Sequence, residues 1–111
     1  RILHPEFRHK DERRTLTQLF TMPVAQVNEY EISKGAVLGN HFHKETTETF
    51  YITKGAVMVK VDDNKFVASK GKMFSVKPNE VHTVEEISDK EKMMTFLSKP
   101  YSKEDTDICK K

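Results

Sequence analysis

Four side chains in this sequence have the chemistry and spacing to hold a metal ion. They are His41, His43, Glu48 and His82. On a strand, residues two apart face the same way, so His41 and His43 project together while Phe42 goes to the opposite face. Glu48 follows a short turn, at the start of Thr49-Phe50-Tyr51-Ile52, so a neighbouring strand can return a carboxylate beside the two imidazoles. His82 follows Lys77-Pro78-Asn79-Glu80-Val81, a Pro-Asn turn ahead of another strand that could aim a third imidazole inward. Three imidazoles and one carboxylate suit a divalent transition metal. Imidazole favours Zn, Cu, Fe or Ni, and the carboxylate widens the choice to Mn. Such a set leaves coordination positions open, whereas a closed structural zinc site more often uses cysteine. His4 and His9 lie in an irregular polar stretch and read as ordinary surface histidines.

The elements that must position these residues are strands. Val57, Val59 and Val61 alternate with Met58 and Lys60, the period-2 pattern of a half-buried strand. Similar runs are Leu16 to Phe20, Gln26 to Ile32, Ala36 to His43, Thr49 to Thr53, Phe66 to Ala68, Met73 to Val76, His82 to Val84 and Met93 to Leu97. No 3.6-residue pattern persists. Ser33-Lys34-Gly35, Thr53-Lys54-Gly55, Ser69-Lys70-Gly71 and Asp62-Asp63-Asn64 mark the turns. Many short strands at this spacing predict an all-β, antiparallel sandwich or barrel.

Residues 1–14 are read as a polar arm, frayed or completed by a partner subunit. Residues 15–98 are read as the barrel, and residues 99–111 as a polar, mobile tail beginning at Lys99-Pro100. Phe50, Ile52, Val57, Val59, Val61, Phe74, Val76, Val84 and Phe96, or their strand neighbours, are expected inside, Phe50 and Tyr51 facing opposite ways with either able to point in. Val37 and Gly39 are expected on the ligand-bearing face. Asp62 to Lys65 and Ser88 to Lys92 read as plain exposed turns.

At 111 residues the chain is one domain long. Lys and Arg number 19 against 17 Asp and Glu, and the two signs interleave, as in Asp89-Lys90-Glu91-Lys92. This is a solvated surface with no one-sided basic stripe, so no nucleic-acid partner is expected. No apolar stretch is long enough to span a membrane, and no signal-peptide apolar region opens the sequence. Cys109 is the lone cysteine, which excludes an intrachain disulfide; a reducing, cytoplasmic setting is expected.

The stretch from Gly35 to Gly55 resembles the first cupin motif. That motif is Gly, five residues, His-x-His, four residues, Glu, six residues, Gly, and Gly35, His41, His43, Glu48 and Gly55 keep every spacing. Gly71 to His82 resembles the second motif, with Lys77 at the usual Pro position and Asn79 at the usual Gly. Asn tolerates positive φ, so the latter change is mild. The resemblance implies a small antiparallel jelly-roll barrel, commonly dimeric, with metal ligands His41, His43, Glu48 and His82. Asp11-Glu12-Arg13, Leu16-Thr17, Gln26-Val27-Asn28, Gly39-Asn40-His41-Phe42-His43, Phe96 to Tyr101 and Asp105-Thr106-Asp107 look like the small cupins of nucleotide-sugar metabolism. Among these are the C-terminal cupin domain of capsular-polysaccharide reductases and, more distantly, the dTDP-sugar epimerases and ketoisomerases. Leu38 stands where members often have Arg, and Arg14 where they have Gly.

What the resemblance implies is an epimerase or isomerase acting on a sugar or nucleotide-sugar. Such an enzyme removes a proton α to a ketone and returns it elsewhere, with a metal (Zn, Fe, Mn or Ni) polarising the carbonyl. His41 or His43 could be the base only if not tied to the metal, leaving Glu48 and His82. Tyr101 resembles a catalytic tyrosine of the dTDP-sugar epimerases. Tyr30 and Tyr51 read as wall residues. Two other readings stay open: an Fe(II)-dependent dioxygenase or lyase on a small molecule, and a non-enzymatic ligand-binding module.

Overall fold

The computed structural model describes residues 1–101 and 108–110. Twelve strands run along it: β1 (Ile2–Leu3), β2 (Phe7–Lys10), β3 (Thr15–Gln18), β4 (Gln26–Ile32), β5 (Val37–His43), β6 (Glu48–Lys54), β7 (Ala56–Val61), β8 (Asn64–Ser69), β9 (Met73–Val76), β10 (His82–Glu86), β11 (Glu91–Leu97) and β12 (Ile108–Lys110). The strands form an antiparallel jelly roll. One five-stranded sheet has the order β1-β9-β6-β11-β4, and the other has β12-β5-β10-β7-β8. β2 and β3 make a separate two-stranded ribbon.

Directly paired residues share a face, so the registers give the inner rows. In the first sheet Asn28 lies opposite Thr95, Thr95 opposite Phe50, and Phe50 opposite Phe74. In the second, Val84 lies opposite Val59 and Val59 opposite Phe66. The Phe50 and Phe74 rings stack at 4.5 Å, and Phe66 meets Phe74 edge-on at 5.4 Å. Ile52, Val57, Val61, Val76, Val84 and Met93 complete a dry core around them.

One facing that the sequence left open is settled, and three expectations are corrected. Phe96 faces outward, where it packs on Phe20 at 5.1 Å, because β11 turns Glu91, Met93, Thr95 and Leu97 inward. Ser88 to Lys92 is not wholly an exposed turn, since Glu91 opens β11 with 1% of its surface exposed. The arm is built into the chain's own fold: β1 pairs with β9, and β2 with β3. Asp11 makes the β2–β3 turn without Gly or Pro, its Oδ1 accepting from the amides of Arg13 (2.9 Å) and Arg14 (3.1 Å). After Pro100 the chain returns as β12, Ile108 and Cys109 pairing with His43 and Phe42. Asp105-Thr106-Asp107 lies outside the described residues.

Candidate metal centre

Three strands bring the histidines and the glutamate together at one end of the jelly roll. β5 carries His41 and His43, β6 begins at Glu48, and β10 begins at His82. The turn before β10 is pinned to β5, for the Asn79 amide donates to the His43 carbonyl at 2.6 Å. Asn79 sits at φ 72°, the left-handed conformation that glycine would otherwise supply. This bond sets His82 beside His43 although they lie far apart in sequence.

A bulge in β5 decides which residues face the site. The register with β10 shifts, so that His41 lies opposite His82 while Gly39 lies opposite Thr83 and Leu38 opposite Val84. Asn40 is the extra residue, and Gly39 and Asn40 have φ of 103° and 59°. The alternation slips by one residue here. Leu38 turns to the cavity and Val37, expected on the ligand face, points out at 60% exposure. A Cβ at Gly39 would stand 2.6 Å from the His82 carbonyl oxygen, a backbone atom that cannot step aside. Gly39→Ala is therefore expected to cost roughly 2–4 kcal/mol in urea melts and to weaken metal binding, by moving His82. Unchanged stability and unchanged metal affinity in that variant would show the bulge to be slack.

The ring centroids of His41 and His82 are 4.5 Å apart, those of His41 and His43 5.3 Å, and those of His43 and His82 5.8 Å. One ring nitrogen from each of the three lies within 4.8 Å of the others. Glu48 Oε1 is 3.4 Å from His43 Nε2 and 3.9 Å from His82 Nε2. His43, Glu48 and His82 are buried; His41 is half-buried on the cavity side.

The electrostatics favour the neutral form of two of the imidazoles. Burial pushes the pKa of both His41 and His82 down, and the neighbouring imidazoles push the same way against the Glu48 carboxylate. Neutral imidazoles are the ligating form. The His82 Nδ1 faces the Glu80 carbonyl at 3.3 Å, which assigns the proton to Nδ1 and leaves the Nε2 lone pair toward the cluster. Two ligand atoms about 2.1 Å from one ion lie about 3.0–3.4 Å apart at octahedral or tetrahedral angles. The Glu48–His43 separation of 3.4 Å matches that spacing, and the Glu48–His82 separation of 3.9 Å is wider than it. The donor set thus fits a divalent transition metal.

The four residues close one wall of a cavity of about 440 Å³. Phe50, Val84, Leu38, Met93, Leu97 and Ile108 give it an apolar lining. Tyr101 also lines it, and the Tyr101 amide donates to Gln26 Oε1 at 2.9 Å. Tyr30 lines the cavity as expected of a wall residue. Gln26 and Asn28 share that wall and were not singled out from sequence as site residues. Their signal was polar residues at alternate positions of a strand, which is also the pattern of a solvent-facing edge.

A family model described as the cupin domain matches residues 28–98. An uncharacterized protein of Methanocaldococcus jannaschii is 33% identical over 69 residues, which are 61% of this chain and 55% of that protein. The chain thus matches only about half the length of that relative. A 3,4-ketoisomerase from Helicobacter canadensis superposes with a TM-score of 0.78 at 14% identity, covering 100% of this chain and 90% of that one. The rmlC epimerase of Mycobacterium tuberculosis gives 0.76 at 18%, covering 93% and 64%. The capsular polysaccharide assembling protein CapF of Staphylococcus aureus gives 0.73 at 18%, covering 94% of this chain and 33% of that one. At such identities these likenesses speak for the fold. The matched residues enclose His41, His43, Glu48 and His82, and the chain belongs to the cupin family.

Proposed function

We propose that this cupin holds a divalent transition metal (Zn, Fe, Mn or Ni) between His41, His43, Glu48 and His82, and acts as an epimerase or isomerase on a sugar or nucleotide-sugar. The observation that carries the reading is the convergence of three imidazoles and a buried carboxylate on one wall of a cavity open to a small molecule. Superposable chains bearing the names of sugar epimerases and a ketoisomerase support the choice of reaction. When bound, the metal supplies a Lewis acid for a substrate carbonyl, which acidifies the adjacent C–H. Of the two candidates named from sequence, Glu48 would accept that proton on the carboxylate oxygen not held by the metal. His82, with Nε2 toward the metal and its proton on Nδ1, would hold the ion without moving a proton, and Tyr101, on the same cavity, would return one. The apolar lining limits water around the carbanion-like intermediate. A homodimer and a cytoplasmic setting belong to the same reading. Phe7 and Leu16, 53% and 42% exposed on the β2–β3 ribbon, offer apolar surface to a second copy.

The test is solvent exchange. Metal-loaded protein in deuterated water, given keto-sugars free and nucleotide-linked, should place deuterium on the carbon next to the carbonyl. Exchange should fall at least 100-fold in Glu48→Gln if Glu48 moves the proton. No exchange into any of them would remove the isomerase reading. Oxygen uptake by the Fe(II) form would replace it with the oxygenase one.

A further inference from the structure

The cavity has two unlike walls. Opposite the histidines, β4 presents Gln26, Asn28 and Tyr30 at alternate positions, with Ile32 continuing the row into the core. Two of these polar side chains are already linked. Gln26 Nε2 donates to Asn28 Oδ1 at 3.1 Å, and Gln26 Oε1 accepts from the Tyr101 amide at 2.9 Å. Burial first, and the Glu48 carboxylate second, keep the Tyr30 phenol protonated well past neutral pH. Behind them the Thr95 hydroxyl, opposite Asn28 in the register, is fully buried with no hydrogen-bond partner. The strip is thus held in place and still has N–H and O–H groups to spare.

None of the described residues lining the cavity is Lys or Arg, and its one carboxylate is Glu48. No helix N-terminus is available either, since every described element is a strand. Phosphate groups are bound by guanidinium, ammonium or helix N-termini, and a buried anion without such a partner is costly. Sugar hydroxyls need the reverse: neutral groups that donate and accept, next to apolar surface for the C–H faces. Phe50, Leu38 and Val84 provide that surface between the two walls.

We propose that the ligand of this cavity is an uncharged sugar, not a phosphorylated or nucleotide-linked one, and that Gln26, Asn28 and Tyr30 read its hydroxyls while its carbonyl end lies toward the histidines. This rests on the sugar reading above and narrows it. β4 is then the specificity strand, and the three residues position the substrate without taking part in proton transfer.

Metal-loaded protein should be titrated with free aldoses and ketoses (glucose, galactose, mannose, xylose, lyxose, fructose) beside their phosphates and their UDP, GDP and dTDP derivatives. Calorimetry and NMR line broadening would read the binding. At least one free sugar should bind more tightly than its phosphate or nucleotide derivative. Asn28→Ala and Tyr30→Phe should each weaken it about 3- to 10-fold, the size of one lost hydrogen bond. The metal-induced rise in melting temperature should stay as in the parent, which separates a ligand-reading role from damage to the metal wall. Nucleotide-sugars binding more tightly than every free sugar would overturn the proposal and leave the sugar reading standing. Unchanged free-sugar affinity in both variants would overturn the role of the strip. No binding by either set would remove both readings.

Discussion

Replacing His82 with glutamine is expected to abolish the stabilisation that a divalent transition metal gives the parent chain. An ion at about 100 times its dissociation constant adds about 2.7 kcal/mol to the folded state. In a domain of this size that is a rise of roughly 10 °C or more in Tm. Three elements must meet for the site to exist, β5, β6 and β10, and His82 comes from the last of them. The glutamine keeps most of the buried volume and removes the ring nitrogen, and His43→Gln repeats the test from another strand. The measurement is a melt of each metal-free variant with and without Zn(II), Mn(II), Ni(II) or, without air, Fe(II). A parent that responds to none of them would sink the metal reading. A His82→Gln protein that keeps the full rise would place the ion elsewhere. The pH profile has a definite sign. Burial holds His41 and His82 below the usual imidazole range, so they are neutral at pH 7. Proton competition for the site should therefore begin below about pH 6.5, with affinity flat above it.

The second large effect lies at the other end of the jelly roll. Glu91 faces inward with both carboxylate oxygens buried and without a hydrogen-bond partner. Its near neighbour on β10 is Glu86, which is held ionised by the Ser88 hydroxyl at 2.6 Å and the Ser88 amide at 2.8 Å. Burial, reinforced by Glu86, pushes the Glu91 carboxyl up to about 7. The unfolded chain ionises this group near pH 4.5. Between those two values the native state holds a proton that the unfolded state has lost, so stability falls as pH rises through that window. The full effect is at most about 3 kcal/mol, from about 1.4 kcal/mol per pH unit. Glu91→Met removes the charge and fills a similar volume. Urea melts should find it more stable than the parent by up to about 3 kcal/mol at pH 8, with most of the gain gone at pH 4.5. Equal differences at the two pH values would show that Glu91 is hydrated in solution.

The gathering of the three histidines and Glu48 was legible because its information is local. His41-Phe42-His43 reads directly as two imidazoles on one strand face, and the spacings around Glu48 and His82 place the turns that return the other two side chains. The core valines of β7 were legible for the same reason, strict alternation beside a turn. What escaped was set by tertiary neighbours. The bulge at Gly39-Asn40 reversed the facing of Val37, and its cause is the close approach of the His82 carbonyl, which no local pattern carries. Glu91 looked like a turn residue because it is charged. Its burial comes from the position of β11 between β4 and β6. The β2–β3 ribbon was hidden because Asp11 does what Gly or Pro usually does in a hairpin turn. The polar strip of β4 could be assigned to the cavity only once that strand was known to lie across from the histidines.

The two shortest strands also guard the sheets. β1 is two residues long, yet it lies along β9, whose four residues Met73-Phe74-Ser75-Val76 are all buried. β12 does the same for β5 in the other sheet. A bare strand edge of this composition is a template for another molecule's strand. Lysines at 70, 72 and 77 flank it, as gatekeeper charges do around strands that must be kept from self-association. Arg1 to Leu3 thus cover the outer edge of β9, pairing with Met73 and Phe74 and accepting from the Ser75 amide. Without that cover the outer edge of β9 would lie open while the cavity with its three histidines, which β1 does not line, would keep its walls.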